Sequence, residues 1–264
     1  MGVHLFLSPH LDDAVLSCGG VMCQLVRSGE RVIIVTAMAG EPREPLPESP
    51  VARMIRVRWR GGDYPFRARR AEDAAAAQQL RAQVYHLPLT EAAFRGTLSG
   101  DGDWIALYPD YASPFGTIHD GDDARLFLFQ TRLPFTEVAA IYAPLGADEH
   151  VDHRLTRDWA LVLTGANDAP ALKFYEEFPQ ARRSEAIPQA MAYYGSQFPP
   201  LQLEAEVFPL DDADCAAKFQ AMSRYQSHLH VLWNDWVEME RLSRDYMLSI
   251  GDGTPAERLW RVVR

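Results

Sequence analysis

An α/β fold with a mostly parallel, doubly wound sheet is what this 264-residue sequence predicts, on three observations. Short apolar runs rich in β-branched residues alternate with stretches of helical periodicity. The first runs are apolar on consecutive residues, the pattern of strands buried on both faces. Polar residues with unusual chemistry stand directly after several of these runs, where an open α/β sheet keeps its ligand crevice.

The elements follow in order. Val3 to Ser8 and Arg31 to Ala37 predict strands, and the helix between them, Ala14 to Arg27, places Val15, Leu16, Val21, Met22, Leu25 and Val26 on one side, completing a βαβ unit. A helix over Phe66 to Leu80, a strand at Val84 to Leu87, a helix over Asp123 to Leu133 and a strand at Val138 to Ala143 continue the alternation. A helix from Val151 to Leu163 and a strand at Leu172 to Tyr175 close it. The long connections Gly40 to Pro65 and Gly96 to Gly121 are expected to wall the substrate site. After Pro188 the alternation stops, and one interrupted helix from Asp212 to Tyr246 is expected. Residues 1–188 are therefore expected to form the core, with 189–264 a smaller C-terminal cap completing the same domain.

Composition narrows the function classes. With 36 acidic and 26 basic side chains, the net charge of -10 repels polyanions and argues against nucleic acid as a partner. No run reaches the roughly 18 apolar residues of a membrane span. The opening MGVHLFLSPH lacks a basic region and a small-residue cleavage site, so the protein is expected to be cytoplasmic. Cys18, Cys23 and Cys215 lack CxxC spacing and predict no disulfide or thiolate metal cage. Nothing in the sequence sets the oligomeric state.

Ser8-Pro9-His10-Leu11-Asp12-Asp13 falls between the first strand and the first helix, where His10 and Asp13 can supply two zinc ligands from one tight turn. Either Asp alone would read as a helix cap. The second cluster, Asp148-Glu149-His150-Val151-Asp152-His153, opens a later helix, and the three-residue spacing turns His150 and His153 to one side. Three ligands, His10, Asp13 and His153, leave a fourth position for water, the open arrangement of a catalytic zinc site. Hydrolysis is the natural chemistry, with Asp12 as general base and His150, oriented by Asp152, as donor to the oxyanion and the departing amine. Iron(II) suits the same ligands.

SPHLDDAVLSCGG and PLGADEHVDH resemble the two signatures, P-H-x-D-D and H-x-x-H, of the PIG-L (LmbE-like) family of zinc-dependent N-deacetylases. The resemblance, over Val3 to Glu177, implies a Rossmann-like fold, zinc on His10, Asp13 and His153, Asp12 as base, and a small-molecule N-acetylglucosamine-type substrate. Arg69 and Glu72 fit the family's R-x-x-E pattern, and Glu91 to Arg95 resembles its D-A-x-Y-R segment, which implies substrate contacts by Arg69, Glu91 and Arg95. Lys218, Tyr225 and Ser227 share a looser K…Y-x-S pattern. Ala14 stands where many members have Glu, and Glu91 and Phe94 replace Asp and Tyr. The same site would serve an amidase acting on a glucosaminyl thiol conjugate, or a non-catalytic binder.

Weaker signals remain. Arg53, Arg56, Arg58, Arg60, Arg67, Arg69 and Arg70 crowd near the crevice and can bind an anionic substrate group or form a solvated loop. Trp104, Tyr108, Tyr111 and Phe115 can stack on a sugar or pack their own loop. Cys18-Gly19-Gly20 is explained by close helix packing, and His4, His86, His119, His228 and His230 read as core or surface histidines.

Overall fold

The computed structural model describes residues 2–42, 48–59, 65–166, 169–197 and 199–263. In chain order the main elements are β1 (Val3–Ser8), α1 (Asp13–Arg27), β2 (Arg31–Thr36), α2 (Pro50–Arg58), α3 (Pro65–Gln79), β3 (Gln83–His86), the hairpin β4 (Gly96–Leu98) and β5 (Trp104–Ala106), and α4 (Ala124–Gln130). They continue with β6 (Val138–Pro144), α5 (Val151–Leu163), β7 (Ala171–Tyr175), α6 (Ala186–Gly195), β8 (Gln202–Pro209), α7 (Asp212–Met222), α8 (Gln226–Leu232), α9 (Trp236–Ile250) and β9 (Ala256–Val263).

Seven strands form one sheet in the order β3-β2-β1-β6-β7-β9-β8. The first five are parallel; β9 runs antiparallel to both β7 and β8. Alternate residues feed two cores. Phe6, Ile34 and Tyr142 face α1, α3, α7 and α9, while Leu5, Leu7, Ile33, Val35 and Phe174 face α4, α5 and α6. This is the three-layer, mostly parallel α/β arrangement expected. The chain proceeds from β1 out to β3, then returns to the other side of β1 as β6, so the strand order reverses between β1 and β6. A crevice opens at such a reversal beyond the carboxyl ends of the two strands.

The C-terminal part differs from expectation. Strands β8 and β9, which were not expected, extend the main sheet, while the interrupted helix expected over Asp212 to Tyr246 is three helices, the last reaching Ile250. Strand β9 carries Glu257, Arg258 and Arg261, whose charges are met by partners far away in sequence: Lys218, Glu176 and Glu206. The helix breaks are capped, α7 by an Asp211–Asp214 capping box and α9 by Asp235, whose Oδ1 accepts from Glu238 N at 2.8 Å. Helix α2 was not anticipated either, although Ser49 followed by Pro50 is a helix-start signal and Ser49 does cap it.

Gly19 and Gly20 pack closely, as expected. A Cβ on Gly19 would lie 3.0 Å from Lys218 Cγ, and the Gly20 and Val21 amides donate to Glu257 at 3.0 and 2.7 Å. Lys218 and Glu257, both buried, close this joint with a 2.7 Å ion pair. Among the described residues no helix is long and apolar enough to cross a membrane.

Candidate functional site

The turn after β1 is built by its own polar atoms. Ser8 Oγ donates to His10 O at 2.6 Å and accepts from Ala14 N at 3.1 Å, while His10 N donates to Asp13 Oδ2 at 2.8 Å. On the other side of the strand reversal, β6 leads to His150, the N-cap of α5, whose Nδ1 accepts from Asp152 N at 3.2 Å. The first turn of α5 then carries His153 to the same spot.

Asp13 Oδ2 lies 3.2 Å from His10 Nδ1 and 3.2 Å from His153 Nε2. Ligands about 2.0–2.1 Å from a tetrahedral ion stand about 3.3–3.4 Å apart, so the spacing fits one divalent cation. The far nitrogens support the same conclusion. His10 Nε2 faces Asp152 Oδ2 at 2.9 Å, and His153 Nδ1 faces Asp148 Oδ2 at 3.2 Å and Glu177 Oε1 at 3.5 Å. A carboxylate behind each ring keeps the proton there and turns the other nitrogen's lone pair inward. Two lone pairs aimed at a carboxylate oxygen repel one another unless positive charge sits between them. The titration of the rings reflects this: burial opposes charging His10, yet Glu91, Asp13 and Asp152 push it up to about 10. His153 is raised well above the ordinary value, burial being outweighed by Asp148 and Asp13. The ligand-type nitrogens of His10, His150 and His153 also converge within 4.8 Å of one another. Asp13 is the acid between the rings of His10 and His153, whereas His150 gives its Nδ1 to the cap of α5.

Asp12 is buried, its carboxyl held below the usual range because His228 outweighs the burial penalty. His228 Nδ1 stands 2.8 Å from Asp12 Oδ2. His150 is pushed down to about 4, chiefly by burial, and is neutral near pH 7.

Several expectations are corrected by this geometry. The Asp152 carboxylate is 3.9 Å from His150 Nδ1; it bonds instead to His10, to Arg95 NH1 at 2.6 Å and to Ala92 N at 2.9 Å. Asp152 therefore orients His10, and only its backbone N–H engages His150. Of the residues expected to touch substrate, Glu91 lines the cleft, but Arg69 and Arg95 are buried behind it. Arg69 pairs with Glu91 and stacks 4.3 Å above the Trp59 ring; Arg95 holds Asp152 and Asp122. His228, read as a core or surface histidine, lines the cleft, because folding brings it an acidic partner that local spacing could not reveal. His86 likewise meets Asp73 at 2.8 Å. Glu177 was also missed, although an acid directly beyond a parallel strand is a usable signal.

The cleft encloses about 540 Å³. His10, Asp12, Asp13, Glu91, His150 and His153 form its polar end; Val51, Met54, Ile55, Trp59, Phe115 and Leu232 form an apolar wall. The second long connection thus divides its aromatics. Tyr111 and Phe115 line the cleft, whereas Tyr108 is buried with its hydroxyl on Asp122. Of the crowded arginines, Arg58 lines the cleft, Arg53 and Arg56 pair with Glu48, and Arg70 pairs with Glu41. Arg60 lies outside the described residues.

The family model of the GlcNAc-PI de-N-acetylases, PIG-L, matches residues 5–164. The chain belongs to the PIG-L family. That match includes both motif turns of the PIG-L site and Glu91, but ends before Glu177 and His228. The 2'-N-acetylparomamine deacetylase of Niallia circulans is 31% identical over 190 residues, 66% of this chain and 66% of that protein, just under two thirds of its length. A teicoplanin deacetylase, solved in a zinc-inhibited form, superposes with a TM-score of 0.79 at 27% identity over 99% of this chain and 98% of that one. A deacetylase of the A40926 pseudoaglycone gives 0.69 at 28% identity over 99% and 97%. The fold described here is thus shared with both deacetylase structures over 99% of the chain.

Proposed function

We propose that this PIG-L chain is a metal-dependent hydrolase that removes the acetyl group from the nitrogen of an amino sugar in a small natural product. The observation that carries the reading is the convergence of His10 Nδ1, Asp13 Oδ2 and His153 Nε2, with the ionised Asp12 beside them. Two nitrogens and one carboxylate suit zinc, and iron(II) as a second choice. Such an ion supplies Lewis acidity, making water nucleophilic near neutral pH and polarising an acyl carbonyl.

The chain's own residues do the rest. Asp12, deprotonated at neutral pH, accepts the proton of the attacking water. His150 is neutral, and because Nδ1 accepts from Asp152 N its proton resides on Nε2, a donor for the carbonyl oxygen as it gains charge. Asp152 and Arg95 hold His10 in orientation. Glu91, fixed by Arg69, faces the cleft where a sugar's hydroxyls can donate to it. The apolar wall favours a substrate whose sugar carries an apolar portion, as aglycone or as a longer acyl group. Cys18, Cys23 and Cys215 are all free, which suits a cytoplasmic site of action.

The test is Asp12→Asn. Metal content should be unchanged while acetate release from 2'-N-acetylparomamine or 4-nitrophenyl N-acetyl-β-D-glucosaminide falls by about 100-fold or more. Undiminished turnover in that variant would remove Asp12 from the mechanism. If the wild-type, metal-loaded protein releases acid from no N-acylated amino sugar, the chain is a binder and not an enzyme.

A further inference from the structure

We propose that His228 is a positioning residue for Asp12: its Nδ1–H binds Asp12 Oδ2 and leaves the other carboxylate oxygen to take the proton of the attacking water. The inference rests on the hydrolytic reading of the cleft for its kinetic consequence, but its structural part stands on geometry alone.

His228 comes from α8, outside the span matched by the family model, and lines the cleft opposite the β1 turn. Its neighbours are anchored. Two positions earlier than Ser227, Tyr225 donates to Asp73 Oδ1 at 2.8 Å, and Ser227 donates to Glu72 through both N, at 2.9 Å, and Oγ, at 2.6 Å. Both acids lie on α3, so the start of α8 is fixed on a helix of the parallel half of the fold. The ring of His228 is thereby placed before any substrate arrives.

His228 Nδ1 has two neighbours that demand opposite protonation. Arg69 NH2, at 3.0 Å and aligned as a hydrogen bond, can only donate and would need a bare nitrogen; Asp12 Oδ2, closer at 2.8 Å and within ion-pair distance, needs a proton on it. Asp12 decides the matter. Among the described residues no other side chain stands within ion-pair distance of its buried carboxylate, whereas Arg69 already has Glu91 through NH1. Stranding a buried carboxylate costs more than forgoing one of several arginine donors. The proton therefore sits on Nδ1. A carboxylate pinned through one oxygen has its free oxygen in a defined direction, which is what a base acting on a single water requires.

The first test needs no substrate. In nitrogen-15 NMR of the histidine side chains of the metal-loaded protein, with His228 assigned by its disappearance in His228→Asn or His228→Gln, the ring should be the Nδ1–H tautomer. An Nε2–H tautomer, with Nδ1 bare and accepting from Arg69, overturns the proposal. The second test uses acetate release from 4-nitrophenyl N-acetyl-β-D-glucosaminide. His228→Ala should lower kcat about 10- to 100-fold, the loss expected for a hydrogen bond to a charged group, with KM changed by less than about 3-fold. Metal content and Tm should be retained. His228→Asn, which keeps an N–H at the same position, should recover most of kcat. Equal loss in the Ala and Asn variants, or a loss confined to KM, also overturns it. If the wild type releases no acetate, the hydrolytic reading fails, and the tautomer still decides whether His228 supports Asp12.

Discussion

His10 and His153 each have a carboxylate behind the ring and Asp13 in front, and this arrangement sets how the metal-free protein responds to pH. The ordinary histidine value is about 6.5, and in the fold His10 is pushed up to about 10, with His153 raised well above its ordinary value. A group whose folded value is raised stabilises the fold fully below its unfolded value and loses that contribution as pH rises through the folded one. The stability of the metal-free protein, read as its Tm, should therefore fall as pH rises from about 6.5 through about 10. With zinc bound, the ion replaces those protons and the fall should be much smaller. Differential scanning calorimetry with and without chelator checks this, and a metal-free Tm that rises across the window would refute it. The residues involved were legible from the sequence because each motif is compact: His10, Asp12 and Asp13 share one turn, and His150 and His153 one helical turn. Their supporting partners were not. Local spacing says nothing of which carboxylate backs which ring, so it pairs Asp152 with His150 and gives His228 no partner.

Among the elements, the segment after β2 shows how tightly the cleft wall is set. Gly40 N donates to Leu89 O at 2.7 Å, and a Cβ on Gly40 would overlap the carbonyl of Pro88. Backbone cannot yield as a side chain tip can, so Gly40→Ala should destabilise the fold by about 1–3 kcal/mol, seen as a lower Tm. It should also raise KM for amino-sugar substrates, because the displaced segment after β3 runs on to Glu91. An Ala variant as stable as wild type would show that the contact is slack. The elements legible from the sequence were those of the parallel alternation: β1, β2, β6 and β7 as continuous apolar runs, β3 as a shorter, half-exposed one, and α1, α3, α4 and α5 as the helices between strands. The obscure ones carry charge into the sheet. Glu257, Arg258 and Arg261 on β9 contradict a strand reading until Lys218, Glu176 and Glu206 are seen opposite them.

At the scale of the molecule, the chain between β8 and β9 holds α7, α8 and α9, so an antiparallel strand pair clamps both ends of the excursion that brings Tyr225, Ser227 and His228 to the cleft. The two halves of the sheet divide the work: the parallel strands aim the turns that carry His10, Asp12, Asp13, His150 and His153 into the cleft, and the antiparallel pair returns a helical layer over α1 and α3. Position along the chain matters here. Strand β9, the last of the sheet, lies between β7 and β8, both made before it. A growing polypeptide still on the ribosome thus leaves a slot in its sheet, with Glu257 unable to reach Gly20, Val21 or Lys218. Chains stalled before Ala256 emerges should be cut readily by protease within 202–255, and chains stalled well after Val263 should resist. Equal resistance in both would mean that the slot closes without its final strand. Until β9 fills that slot, the excursion that carries His228 is held at one end only, and a chain lacking β9 should release no acetate from an acetamido sugar.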